Sequence, residues 1–381
     1  MPRPTLRTPI CDRLDIEYPV VLAGMGGVAT ADLVAAVSEA GGLGIVGAAA
    51  MTGDDIAEQV RRIRSLTSRP FGVDILLPAG VVLPARPSDG GPQAKDIRDL
   101  LPPEHKEFIR QARERFGLPE EGRGEEEITS RLAMMAGDFT RRQVEAIIDL
   151  KVPVFASGLG NPAPFAQALH DGGCKIIALV GNVKNARRVV EGGTDVVVAQ
   201  GTEAGGHTGR IGTMALVPQV VDAVAPTPVL AAGGIGDGRG LAAALALGSQ
   251  GVWVGTAFLV SREANWPQLL KDRVLAASEE DTRVTRLYSG KTMRNVTNPL
   301  IELWEESGVK ALPMGLQGLV SAELMNAARQ AGKLELLMNP AGQVSGMLHA
   351  SRPAREILEE LVEGAVQVLT ERLPAHVRVG V

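Results

Sequence analysis

A chain of 381 residues, 45% of them apolar, can bury a large core and is long enough for a barrel with an addition. Aromatic residues make up only 3%, against 45 glycines, which suits closely packed strands and helices and argues against a base-stacking platform for nucleic acid. The net charge of −5 comes without any basic block, so nothing draws the chain to nucleic acid or an anionic membrane.

The first ten residues, MPRPTLRTPI, lack the apolar stretch of a signal peptide. No run of 18 apolar residues occurs, so no membrane span is expected and the expectation is a cytoplasmic protein. Cys11 and Cys174 fit no metal or redox motif and read as two reduced thiols.

In chain order, residues 18–23 read as a first strand ending in Gly24-Met25-Gly26-Gly27. Thr30 or Asp32 can cap the helix that follows, and Gly41-Gly42 closes it. Residues 43–46 form the second strand, 52–67 a charged amphipathic helix, and 70–77 the third strand. The rhythm then breaks. Residues 79–137 are Pro-rich and then charged, with a helical piece over 105–116, and this insertion reads as a lid over the strand ends. Its Glu125-Glu126-Glu127 run reads as a solvated face.

The alternation resumes with a helix over 139–150, a fourth strand at 152–156, a helix at 161–170 and a fifth strand at 174–179. A helix at 183–191 leads to the sixth strand, 195–199, and to a Gly-rich loop that carries His207. A helical pattern starts at about Thr213; the seventh strand is 228–231, followed by Gly233-Gly234-Ile235-Gly236, with Asp237 as the next helix cap. The eighth strand is 251–254, ending in Gly255-Thr256. Eight buried strands separated by helices predict a (β/α)8 TIM barrel over residues 1–261, with the helical insertion after the third strand. Residues 262–381 read as a helical C-terminal extension packed on the barrel.

In such barrels ligands bind at the C-terminal ends of the strands, and phosphates at the loops after the seventh and eighth. Here those loops offer Gly233, Gly234, Gly255 and the Thr256 hydroxyl. His207, on the loop after the sixth strand, can move a proton near neutral pH. Residues 24–29 also fit G-x-G-x-x-A, but the second strand runs into 47–51 with no carboxylate for a ribose, so a dinucleotide fold is set aside. His105, His170, His349 and His376 read as structural or surface residues. Lys291, Arg294 and Asn298 read as facing either the ligand or a surface ion pair. Residue chemistry thus yields a phosphate-bearing ligand faced by a histidine, and leaves open whether that ligand is cofactor or substrate.

The stretch Gln200-Gly201-Thr202-Glu203-Ala204-Gly205-Gly206-His207-Thr208-Gly209 resembles the signature of the nitronate monooxygenase (2-nitropropane dioxygenase) family. Residues 24–27 with 36–44, 231–235 with 238–241, and 254–259 match further family motifs, and 289–298 and 342–346 extend the likeness more weakly into the tail. The resemblance implies non-covalent FMN. Gly24, Met25, Asp74, Gln200 and Gly205 would contact the flavin; Gly233, Gly234, Gly255 and Thr256 would hold its phosphate, and Ala232, Trp253 and Val254 would also be cofactor-binding. His207 would be the catalytic group. The implied reaction takes an alkyl nitronate, or a nitroalkane, and oxygen to a carbonyl compound and nitrite. Two positions depart from the pattern: many members carry Asn where this chain has Asp74, and some carry Lys where it has Leu179. An ionised Asp74 would offer only acceptors. FMN-dependent NAD(P)H:quinone and enoyl reductases are similar over the same motifs, a non-catalytic phosphate-ligand barrel is the alternative of another class, and a homo-oligomer stays open.

Overall fold

Buried β-branched runs alternate with amphipathic helices along most of the chain, and the structure, a computed structural model, describes residues 5–77, 101–119 and 137–378. Eight strands form one parallel sheet: β1 (Val20–Leu22), β2 (Gly44–Gly47), β3 (Phe71–Leu76), β4 (Val154–Leu159), β5 (Lys175–Val180), β6 (Val196–Gln200), β8 (Val229–Ala232) and β9 (Gly251–Val254). The two-residue strand β7 (Gly206–His207) lies outside this sheet. The order β1-β9-β8-β6-β5-β4-β3-β2 brings first and last together, and a parallel bridge Val21↔Leu43 completes the ring. This is the expected (β/α)8 TIM barrel, with all eight strands at the expected places.

The strands' two-residue period sorts side chains into two cores. Val21, Leu43, Ile45, Val154, Ala156, Ile177, Val196, Val198 and Leu230 fill the interior. Ile10, Cys11 and Leu14 of the short helix Pro9–Leu14 join that core, and the Thr8 hydroxyl donates to the carbonyl of Gln250, just before β9. The helix therefore plugs the N-terminal end and leaves the opposite end as the mouth. The alternate residues, such as Val73, Phe155, Val197 and Ala199, face the outer helices. Both cysteines are buried and free.

Local chemistry departs from expectation at one helix start. Thr30 occupies the N-cap of the helix Ala31–Glu39 but its side chain makes no capping bond; Gln59 accepts the Ala31 N–H instead, at 2.9 Å. Asp237 caps the helix Gly238–Ala246 as the sequence indicated. The expected helix at 161–170 divides into a 3₁₀ turn, Ala163–Phe165, and a helix, Ala166–Asp171.

The tail is mostly helical and adds a small antiparallel sheet that the sequence did not announce. Strands β10 (Thr282–Thr285) and β11 (Met293–Val296) pair with each other, and β11 pairs with β7. The helix Ala354–Gln367 lies on the barrel's outer layer, where Gly238 and Gly364 meet so closely that a Cβ on Gly238 would stand 2.3 Å from the Gly364 carbonyl carbon.

The helix Pro103–Phe116, inside the insertion, packs on the tail in a third core. Phe108 meets Trp304 edge-on with ring centroids 5.0 Å apart, and Arg113 pairs with Glu323 at 2.9 Å. His105, expected to be a structural or surface residue, is fully buried there, its Nε2 3.0 Å from the Lys310 carbonyl oxygen. The Glu125-Glu126-Glu127 run lies outside the described residues. Among the described residues no helix is long and apolar enough to cross a membrane.

Phe108→Ala removes a fully buried ring from this third core and is expected to cost about 3–5 kcal/mol. A urea unfolding midpoint measured against wild type checks it; an unchanged midpoint would show that the insertion helix is not anchored this way.

Candidate active site

The mouth of the barrel holds a cavity of about 300 Å3. Strand alternation explains what reaches it: Asp74 on β3, Leu179 on β5, Gln200 on β6, Ala232 on β8 and Trp253 on β9 all take inward positions near the strand ends. The loops after those strands supply the rest. Every candidate site residue lines this one cavity: Gly24, Met25, Asp74, Gln200, Gly205, His207, Ala232, Gly233, Gly234, Trp253, Val254, Gly255 and Thr256.

Close approach explains why several of these positions are glycine. A Cβ on Gly24 would stand 2.3 Å from the Asp74 Cβ, so the first-strand loop passes directly over that carboxyl. Gly233 has φ +91°, and a Cβ there would also stand 2.9 Å from the Gly201 carbonyl oxygen. The loops after β6 and β8 thus pack backbone on backbone. Their first duty is to each other, and the cavity floor follows from it.

The loop after β6 is fixed by polar contacts on every side. Both carboxylate oxygens of Glu203 accept the Thr213 N–H, at 2.9 and 3.0 Å, at the start of the helix Thr213–Val224. Gln200 Nε2 donates to the His207 carbonyl at 2.6 Å, which leaves Oε1 for a ligand. Arg294 from β11 is buried; its Nε donates to the Thr202 carbonyl at 3.1 Å and its Nη1 to the Thr282 hydroxyl at 3.0 Å. Asn298 is buried too, accepting the Ile301 N–H as a helix cap. Arg294 and Asn298 therefore form no surface ion pair; both are buried, hold backbone in place and do not line the cavity.

His207 is partly buried on β7, opposite Met293 of β11, with Nε2 2.9 Å from the Ser289 hydroxyl. Burial first, and the charge of Lys291 second, hold its pKa below the ordinary value, so the imidazole is neutral at pH 7. Asp74 is buried, and one oxygen accepts the Gly158 N–H at 2.7 Å. Burial outweighs that bond and pushes its carboxyl up to about 8. The cavity therefore presents a neutral acid and a neutral imidazole.

Thr256 Oγ1 accepts the Gly342 N–H at 3.0 Å, which leaves the hydroxyl hydrogen for a ligand oxygen. This contact exposes what sequence reasoning missed: Met293, Met338, Pro340, Gly342 and Val344 of the tail also form the cavity wall. Only the weak tail matches at 289–298 and 342–346 hinted at them.

The raised Asp74 value carries a stability consequence. Between the unfolded carboxyl value of 3.8 and the folded value of about 8, the unfolded chain has released a proton that the folded one keeps. Stability therefore falls as pH rises through that window, by about 1.4 kcal/mol per pH unit from this group. Asp74→Asn, freed of bound small molecules, is expected to lose that slope and to gain on wild type between pH 4 and 8. Parallel melting-temperature curves for the two proteins would expose a carboxyl that is ionised in the fold.

The family model for nitronate monooxygenase matches residues 7–364. A protein of Mycobacterium tuberculosis named as a monooxygenase is 37% identical, covering 96% of this chain and all of that one. Among solved structures, nitroalkane oxidase from Streptomyces ansochromogenes superposes with a TM-score of 0.77 at 29% identity, covering 95% of this chain and 99% of that one. FabK from Thermotoga maritima superposes with a TM-score of 0.74 at 32% identity, covering 98% and 100%. With the barrel, the glycine-lined mouth and the histidine-bearing loop in place, the chain belongs to the nitronate monooxygenase family and is an oxidoreductase of that family.

Proposed function

We propose that the protein is a cytoplasmic, FMN-dependent enzyme that oxidises alkyl nitronates with oxygen, releasing a carbonyl compound and nitrite. The observation that carries this reading is the convergence of His207, Asp74 and the glycine loops of β1, β6, β8 and β9 on a single cavity in a chain of this family. The likeness to a nitroalkane oxidase supports the choice of substrate.

The cavity fits a flavin mononucleotide on the chemistry of its walls. Gly24 and Met25, Gln200 and Gly205 would face the ring system, and Gly233, Gly234, Gly255 and Thr256 the phosphate. A neutral Asp74 has an acceptor oxygen and an O–H donor, the same pair of functions as an asparagine amide. That suits the alternating carbonyl and N–H groups of a pyrimidine edge, so the departure from Asn at this position costs no contact. When bound, FMN accepts the substrate's electrons and passes them to oxygen. The protein's own part is to orient and to exclude water: His207 holds the substrate against the ring, while Met25, Met293, Met338 and Trp266 keep the wall apolar.

FabK stands beside a nitroalkane oxidase among the similar structures, and FMN-dependent reductases resemble the same motifs. A second reading is therefore a reductase of quinones or enoyl thioesters driven by NAD(P)H. An anaerobic visible-absorption titration separates the two. Bleaching of the flavin band by an alkyl nitronate, with no fast response to NADH, is the expected result; bleaching by NADH alone would move the protein to the reductase reading, and no flavin band after adding FMN would remove the cofactor.

His207→Asn is expected to keep its FMN and lose at least about 100-fold in turnover of nitronate. Normal turnover with a full flavin complement would remove His207 from the mechanism. If the insertion acts as a lid, its deletion raises KM more than it lowers FMN content.

A further inference from the structure

Ser289 lies between the tail strands β10 and β11, at the start of the weaker tail match, and was given no role in the site. Its Oγ is 2.9 Å from Nε2 of His207 and accepts the Lys291 N–H at 3.3 Å. A serine hydroxyl has one hydrogen to give and two places to accept. If Nε2 carried the ring hydrogen and donated it to Oγ, the hydroxyl's own hydrogen would have no acceptor among the described residues. If the hydroxyl donates to Nε2, its hydrogen is satisfied, and the one hydrogen left over is that of the neutral ring on Nδ1. That nitrogen has no hydrogen-bond partner among the described residues, and the side chain borders the cavity.

The ring is also held where this bond persists. Thr208 donates its N–H to the Thr292 carbonyl at 3.2 Å, and the Thr292 hydroxyl donates to the Thr208 carbonyl at 2.7 Å. Together with the pairing of His207 with Met293, these contacts lock the histidine backbone to the segment that carries Ser289.

We propose that Ser289 donates its hydroxyl hydrogen to Nε2 of His207 and keeps the ring hydrogen on Nδ1, so that the imidazole meets substrate as a hydrogen-bond donor to an anion and not as a base toward a neutral molecule. The proposal rests on the reading of the cavity as a site of nitronate oxidation and narrows it. A nitronate carries its negative charge on two oxygens, which an N–H donor recognises. A neutral nitroalkane would need an acceptor for its carbon-bound hydrogen, and an Nδ1–H cannot take it. Ser289 is thus a positioning residue that selects the anionic form of the substrate by fixing a tautomer.

The test reads the tautomer directly. Nitrogen-15 spectra of histidine-labelled holoenzyme at pH 8, with His207 assigned by its loss in His207→Asn, are expected to show a protonated Nδ1 and a bare Nε2. Ser289→Ala should move the hydrogen to Nε2 or mix the two forms, and Ser289→Thr should restore the wild-type pattern. Steady-state assays in parallel should show Ser289→Ala losing about tenfold in kcat/KM for nitronate at unchanged FMN content, a smaller change for the neutral nitroalkane, and recovery in Ser289→Thr. A wild-type ring protonated on Nε2, or identical spectra for wild type and Ser289→Ala, would overturn the proposal. The spectra do not depend on turnover, so failure of the nitronate reading, seen as no turnover by wild type, stays distinguishable.

Discussion

A parallel strand must find a hydrogen-bonding neighbour on each side or leave polar backbone unpaired, and in this protein closure of the ring meets that demand. The bridge between Val21 and Leu43 turns an open run of eight strands into a barrel. Because the strands are parallel, closure also aims all their C-terminal ends at one mouth. Residues as far apart in sequence as Gly24, Asp74, His207 and Thr256 then have nowhere else to converge. The short N-terminal helix that plugs the other end leaves a single opening for chemistry.

The second constraint comes from the tail. A glycine-rich loop after a strand has many conformations, and that freedom must be removed before a histidine on it can act. Here the removal is done by a strand from beyond the barrel. Strand β11 pairs with Gly206 and His207, Arg294 bonds the Thr202 carbonyl, and Glu203 ties the loop to the helix that follows. The tail is in turn held by its own core with the insertion helix, through Phe108 and Trp304. Burial far from the cavity is thereby linked to the position of His207 at its edge.

Electrostatics in the cavity follow from burial. Carboxylates ordinarily ionise at neutral pH, yet Asp74 sits where solvent cannot support its charge and stays an acid. The same loss of solvent, with Lys291 nearby, keeps His207 uncharged. A site of neutral donors and apolar walls lets a bound anion interact with directed hydrogen bonds in place of water.

The sequence by itself determined the ring of strands, because runs such as 195–199 are too apolar and too β-branched to face water, and glycines at the strand ends mark where backbone must turn or approach. It also determined which loops would meet at the mouth, since a parallel barrel leaves no choice, and the His207 stretch carried the family likeness that the comparisons bear out. What it left undecided depends on contacts between distant segments. The alternation of β11 is too short to be told from helix, so the sheet that grips His207 was invisible, and so were Arg294 and Asn298 as backbone clamps. The protonation of Asp74 and the hydrogen on the His207 ring are likewise properties of burial and of a partner 82 residues away, and no local pattern of residues encodes them.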